Sequence, residues 1–211
     1  MLDPLLRRLI DPPLNRLAAA FDRAPFGSDA VTLAGFGLGL GAAAAVALDH
    51  LVPALALFLA NRLADGLDGA LARRRGMQGQ PGAGRGPTDR GGFIDIVLDF
   101  VAYALLALGF AIRDPAAAAL PAAFLLASFM GTASSFLAYA IMAGRRGLET
   151  SLRGRKSFYH LGGLTEGSET ILFFLLCLLL PQHFPLLAWI FGAACWLTTL
   201  GRVAAGWRDF A

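Results

Sequence analysis

Residues 61–100 read NRLADGLDGALARRRGMQGQPGAGRGPTDRGGFIDIVLDF, and this stretch decides the architecture. Asp65, Asp68 and Ala72 are spaced i, i+3, i+7, with Gly69 four residues after Asp65. That spacing puts them on one face of a predicted helix. Asp95 and Asp99 are four apart and share a face of the next helix, with Gly91 one turn before them. Both pairs of carboxylates stand at the edges of strongly apolar segments. Between them, residues 76–92 carry seven glycines and two prolines without an apolar run, which predicts a loop. Two helices that each present paired carboxylates beside small residues can form a cation site. Ionisable residues in a spanning helix are costly and usually functional. Four carboxylates converging on one volume repel unless a cation neutralises them. Oxygen-only ligation suits a hard ion such as Mg²⁺, with Mn²⁺ as the alternative. No His or Cys stands near them to suggest zinc.

The rest of the chain explains why those segments are apolar. Of its 211 residues 56% are hydrophobic and only 16% are charged, with a mean hydropathy of +0.60. The apolar stretches run to about 20 residues, enough to span a bilayer. The expected class is all-α: a polytopic membrane protein with six transmembrane helices preceded by an amphipathic interfacial helix. No secretory signal peptide is expected, because charges are scattered through the first 28 residues. The pI near 9.3 does not indicate nucleic-acid binding, since the basic residues lie between apolar segments and carry topology. Cys177 and Cys195 fall inside apolar segments and read as packing residues.

Residues 1–28 are expected to form an amphipathic segment on the membrane surface, interrupted at Pro12 and Pro13. Residues 29–211 are expected to form one six-helix domain, with spans near 30–48, 52–73, 92–112, 116–143, 164–180 and 186–206. The Gly and Ala content of the first span allows close helix contact. Six spans put both termini on one side. Sixteen of the 18 basic residues then fall on that side, Arg113 alone falls on the other, and Arg62 lies within the second span. The asymmetry predicts cytoplasmic termini and cytoplasmic aspartates in the inner membrane. Arg74 and Arg75 read as topology and lipid-headgroup contacts.

Asp65, Asp68, Gly69, Ala72 and Arg73, followed by Gly91, Asp95 and Asp99, resemble the D-x-x-D-G-x-x-A-R … G-x-x-x-D-x-x-x-D signature of the CDP-alcohol phosphotransferases. All eight positions are present with the right spacing in each half. The family's usual interval between Arg and the second Gly is shorter than residues 74–90 here. The surplus is Gly/Pro-rich and can bulge without moving either helix. The resemblance implies that a CDP-linked lipid donor and a small alcohol give a phosphodiester and CMP. It implies that Asp65, Asp68, Asp95 and Asp99 hold the metal and that Asp99 is the general base. Gly69, Ala72 and Gly91 would make room for the cytidine diphosphate, with Arg73 on phosphate. It also implies a homodimer.

The acceptor end is expected around residues 134–170. Ser135, Arg153, Arg155, Lys156, Glu166 and Glu169 are its candidates. Glu166 and Glu169 favour a neutral or cationic alcohol, or else cap a helix. The run Arg153, Arg155, Lys156 can instead bind phosphate. Tyr139, Phe158 and Tyr159 read as interfacial anchors, with a cation-binding wall as the alternative. A prenyltransferase also uses aspartate-rich helices for Mg²⁺, but lacks the Gly-x-x-Ala-Arg that follows Asp68. A divalent-cation transporter would place its carboxylates near the bilayer midplane.

Overall fold

A computed structural model describes residues 3–21, 27–77, 88–147 and 163–211. The described residues are helical throughout: α1 (Asp3–Phe21), α2 (Ser28–Ala47), α3 (Leu51–Met77), α4 (Asp89–Arg113), α5 (Pro115–Arg145), α6 (Gly167–Leu179) and α7 (Phe184–Asp209), with a 3-10 turn at Pro181–His183 before α7. Four stretches are long and apolar enough to cross a membrane: α2, α4, α5 and the segment Pro181–Asp209 that includes α7. α3 has 27 residues, but its second half carries Arg62, Asp65, Asp68 and Arg73–Arg75. α6 has 13 residues. That makes it about 20 Å long, against a hydrocarbon core of about 30 Å. It is shorter than the span expected at 164–180 because Glu166 caps its start and Pro181 follows its end.

The chain divides into two compact units, Pro4–Ala119 and Leu120–Ala211. In the first, α2 packs against α3 and α4. Small residues set those distances. A Cβ at Gly35 would lie 3.0 Å from the Ala64 Cβ, and one at Gly109 would lie 2.6 Å from the Ala43 carbonyl oxygen. Backbones this close exclude any larger side chain at Gly109 without movement. The α2–α3 turn passes through Asp49 at φ 60. Its carboxylate accepts from Arg113 Nε at 2.5 Å. The one basic residue assigned to the far side of the membrane is thus paired with an acid.

Two local expectations are corrected. Pro12 and Pro13 do not interrupt the N-terminal segment, and α1 runs through both. An interior proline costs about 3 kcal/mol. Here Leu14 and Ala18, just beyond the prolines, are buried against Ala70 and Leu71 of α3. Gly66 leaves room for Leu14, whose Cδ1 would stand 2.8 Å from a Cβ there. The fourth helix begins at Asp89, inside the segment read as loop, because Thr88 is its N-cap and accepts from the Gly91 N–H at 2.9 Å.

In the second unit, Phe129, Phe173, Phe174 and Phe191 form an aromatic cluster between α5, α6 and α7. Gly192 leaves space for the Phe124 ring. Tyr139 is buried at 4% exposure with Ala143, Ala205 and Phe210, and its hydroxyl donates to Asp209 Oδ2 at 2.5 Å. It is a core residue, not an interfacial anchor. Arg146 closes the end of α7 by donating to the carbonyl oxygens of Asp209 and Phe210 at 2.9 and 2.7 Å.

Candidate active site

Helical periodicity in α3 and α4 brings the two acidic pairs together. Single carboxylate oxygens of Asp65, Asp95 and Asp99 all lie within 4.8 Å of one another. Three such oxygens at that separation can hold one hard divalent ion. Asp68, one turn after Asp65, lines the same cleft, with Thr32, Gly35, Phe36, Asn61 and Arg62 among its other walls. Asp68 is only 6% exposed. It accepts from the Thr32 hydroxyl at 2.5 Å, a hydrogen bond from α2 that satisfies one of its oxygens. So the cleft is built by α2, α3 and α4 together, all within the first compact unit.

Arg62 is the cation among these acids. Its Nη2 donates to Asp99 Oδ1 at 2.9 Å, and its Nη1 lies 3.7 Å from Asp65 Oδ2. The acids are therefore partly neutralised by a protein charge, which lowers the cost of burying them together. Neither Arg62 nor Thr32 was expected at the site. Thr32 carries no local signal, whereas an arginine inside an apolar span is itself a signal.

Two of the small signature residues, Gly69 and Gly91, lie close under neighbouring side chains. A Cβ at Gly69 would stand 3.2 Å from Arg73 Nη1, so the Arg73 side chain folds back over the Gly69 backbone. Ala72 lies half-buried on the same helix. Gly91 sits in the first turn of α4, with Thr88 Oγ1 and Asp29 Oδ1 at 3.1 and 3.2 Å from the position of its missing Cβ. Asp29 also pairs with Arg90 at 2.5 Å, tying the starts of α2 and α4.

The acceptor candidates do not come together in the same way. Ser135 donates to the Thr132 carbonyl of its own helix at 3.1 Å. Glu166 and Glu169 form a capping box at the start of α6; Glu169 accepts from the Glu166 N–H at 3.2 Å, and Glu166 accepts from the Gly163 N–H at 3.1 Å. Arg153, Arg155, Lys156, Phe158 and Tyr159 lie outside the described residues. Arg202 of α7, 7% exposed, donates to the Thr132 carbonyl at 3.0 Å. Its Nε is buried with no hydrogen-bond partner among the described residues.

All-helical described residues, several membrane-length helices and a carboxylate-lined cleft define a helical membrane protein with a candidate divalent-cation site. Comparison with known proteins makes this specific. The chain belongs to the CDP-alcohol phosphatidyltransferase family, whose model matches residues 28–201. It is a phosphatidyltransferase of that family, which uses Mg²⁺ or Mn²⁺. It is 47% identical to the inner membrane protein YnjF of Escherichia coli K12 over 207 residues, 98% of this chain and 96% of that one. It is 36% identical to the archaetidylinositol phosphate synthase of Methanothermobacter thermautotrophicus over 106 residues, 50% of this chain and 46% of that one. Its fold is that of the Mycobacterium tuberculosis phosphatidylinositol phosphate synthase PgsA1. The PgsA1 structure with CDP-DAG bound superposes with a TM-score of 0.70 at 20% identity, covering 92% of this chain and 93% of that one. The complex with manganese and citrate gives 0.66 at 22% identity, covering 92% and 88%.

Proposed function

We propose that this chain is a multi-pass inner-membrane enzyme that transfers a phosphatidyl group from CDP-diacylglycerol to the hydroxyl of a small alcohol, releasing CMP. The observation that carries this reading is the convergence of Asp65, Asp95 and Asp99 within 4.8 Å. It occurs in a family member whose eight signature residues stand in register. In this reading α2 to α7 all cross the membrane, with α6 extended by the turns on either side, and α1 lies at the cytoplasmic interface. The basic-residue asymmetry supports cytoplasmic termini and a cytoplasmic cleft. The names of the relatives support the location and the donor: YnjF is an inner membrane protein, and PgsA1 was solved with CDP-DAG.

Asp65, Asp95 and Asp99 would hold the ion, with Asp68 beside them. When bound, Mg²⁺ or Mn²⁺ neutralises the diphosphate and the departing CMP phosphate. The chain's own residues do the rest. Arg73, whose side chain folds over the Gly69 backbone, presents its guanidinium fork to a phosphate there. Asp99 accepts the proton of the acceptor hydroxyl. The alcohol oxygen then forms a bond to the lipid-bearing phosphorus as the bond from that phosphorus to the CMP oxygen breaks. Arg62 donates to Asp99 Oδ1 at 2.9 Å and so orients this carboxylate.

Glu166 and Glu169 cap α6, so their presence does not by itself choose between a neutral or cationic alcohol and a phosphorylated one. The assay therefore spans both kinds. Purified protein is incubated with CDP-diacylglycerol, Mg²⁺ or Mn²⁺, and glycerol phosphate, inositol phosphate, serine, choline or inositol, and CMP is followed. Metal-dependent CMP release with one of them is expected. No CMP with any acceptor would overturn the reading, and Mn²⁺ uptake into vesicles without CMP would favour transport.

A further inference from the structure

Arg62 lies in the acidic cleft beside Asp65 and Asp99. Its side chain is 9% exposed and every part of the guanidinium is engaged. Nη2 donates to Asp99 at 2.9 Å, Nη1 donates to the Tyr103 hydroxyl at 2.7 Å, and Nε donates to Asn61 Oδ1 at 2.8 Å. Buried Asn61 is fixed in turn by donating to the Gly35 carbonyl at 2.8 Å. The Tyr103 ring centroid lies 4.9 Å from the guanidinium carbon. Side-chain and backbone groups of α2, α3 and α4 thus hold this charge in place. An arginine bound so fully is a fixed charge, unlike a lysine on a flexible stem.

We propose that Arg62 is a positioning residue and the resident counter-charge of the carboxylate cluster: it holds one oxygen of Asp99 and sets how strongly the cleft attracts a divalent cation. This deepens the phosphatidyl-transfer reading and rests on its metal assignment. The role has two consequences of opposite sign. A neutral residue at position 62 makes the cleft more negative, so metal binds more tightly. The same change frees Asp99, so turnover falls. A merely structural role would weaken metal binding and turnover together.

The test uses full-length protein in detergent and Mn²⁺ alone, with the free ion followed by electron paramagnetic resonance. Arg62→Met and Arg62→Gln should bind Mn²⁺ about tenfold more tightly than wild type, the scale of removing a unit charge close to a divalent ion. Arg62→Lys, which keeps the charge, should stay close to wild type in Mn²⁺ affinity. At saturating Mn²⁺, Arg62→Met should release CMP more slowly. Mn²⁺ binding that is unchanged or weaker in the neutral variants overturns the proposal. If they unfold without metal, recovery in Mn²⁺ supports it and failure to fold in Mn²⁺ overturns it. Wild-type protein that binds no Mn²⁺ defeats the underlying metal assignment instead, so the two failures are separable.

Discussion

Replacing Thr32 by Val tests how the cleft holds its most buried acid. The exchange keeps the β-branched shape on α2 and removes one hydroxyl, the donor 2.5 Å from Asp68 Oδ2. Asp68 is 6% exposed, so water replaces that donor poorly. Losing a hydrogen bond to a buried charged acceptor costs about 1.5–3 kcal/mol. For a chain of this length that is a fall in melting temperature of roughly 3–12 °C. If the same bond aligns Asp68 during transfer, CMP release slows by about 10- to 150-fold. The assay is thermal unfolding in detergent with and without Mn²⁺, followed by CMP release. The loss should be largest without metal and shrink in Mn²⁺, because a bound cation restores a partner to Asp68. Thr32→Ser, which keeps the hydroxyl, should recover most of both. A Thr32→Val protein that melts with the wild type in the absence of metal would refute the reasoning.

Asp99→Asn should lower kcat by about 10²–10⁴-fold, the usual contribution of a general base, while the protein still binds the CDP-linked donor; wild-type turnover would remove Asp99 from that role. Gly109→Ala places a Cβ 2.6 Å from the Ala43 carbonyl oxygen and should cost about 1–3 kcal/mol in thermal unfolding. Gly37→Ala meets nothing within 4 Å and should be neutral or stabilising by up to about 1 kcal/mol; the reverse order would contradict the packing of α2 on α4. Ser135→Ala should leave CMP release within roughly twofold of wild type, since the hydroxyl is spent on its own helix. A raised KM for the alcohol would instead place Ser135 on the acceptor.

The acids of the cleft were legible because helical spacing is local. Asp65 and Asp68 are one turn apart on α3, Asp95 and Asp99 one turn apart on α4, and each pair needs only its own helix to share a face. Their partners were not. Thr32 reaches Asp68 across 36 residues of chain, and Arg62 meets Asp99 and Tyr103 only because α3 and α4 pack side by side. Composition marks α2 as able to pack closely, yet which glycine meets which helix depends on a third dimension. The N-terminal prolines carry a local cost that is visible in the sequence, whereas the burial of Leu14 and Ala18 that offsets it depends on the packing of α1 against α3. The start of α4 was readable in principle: Thr88 followed by Asp89 is a capping pattern, masked by the glycines around it. The roles of Glu166 and Glu169 stayed balanced because spacing of three serves a capping box and a paired site equally.

Anomalous scattering from crystals soaked in Mn²⁺ addresses the central claim, that the carboxylates of α3 and α4 form the metal centre of the transferase. The predicted result is a peak bounded by Asp65, Asp95 and Asp99 that vanishes in Asp95→Asn along with CMP release. A Mn²⁺ peak elsewhere in a protein that still releases CMP would contradict it.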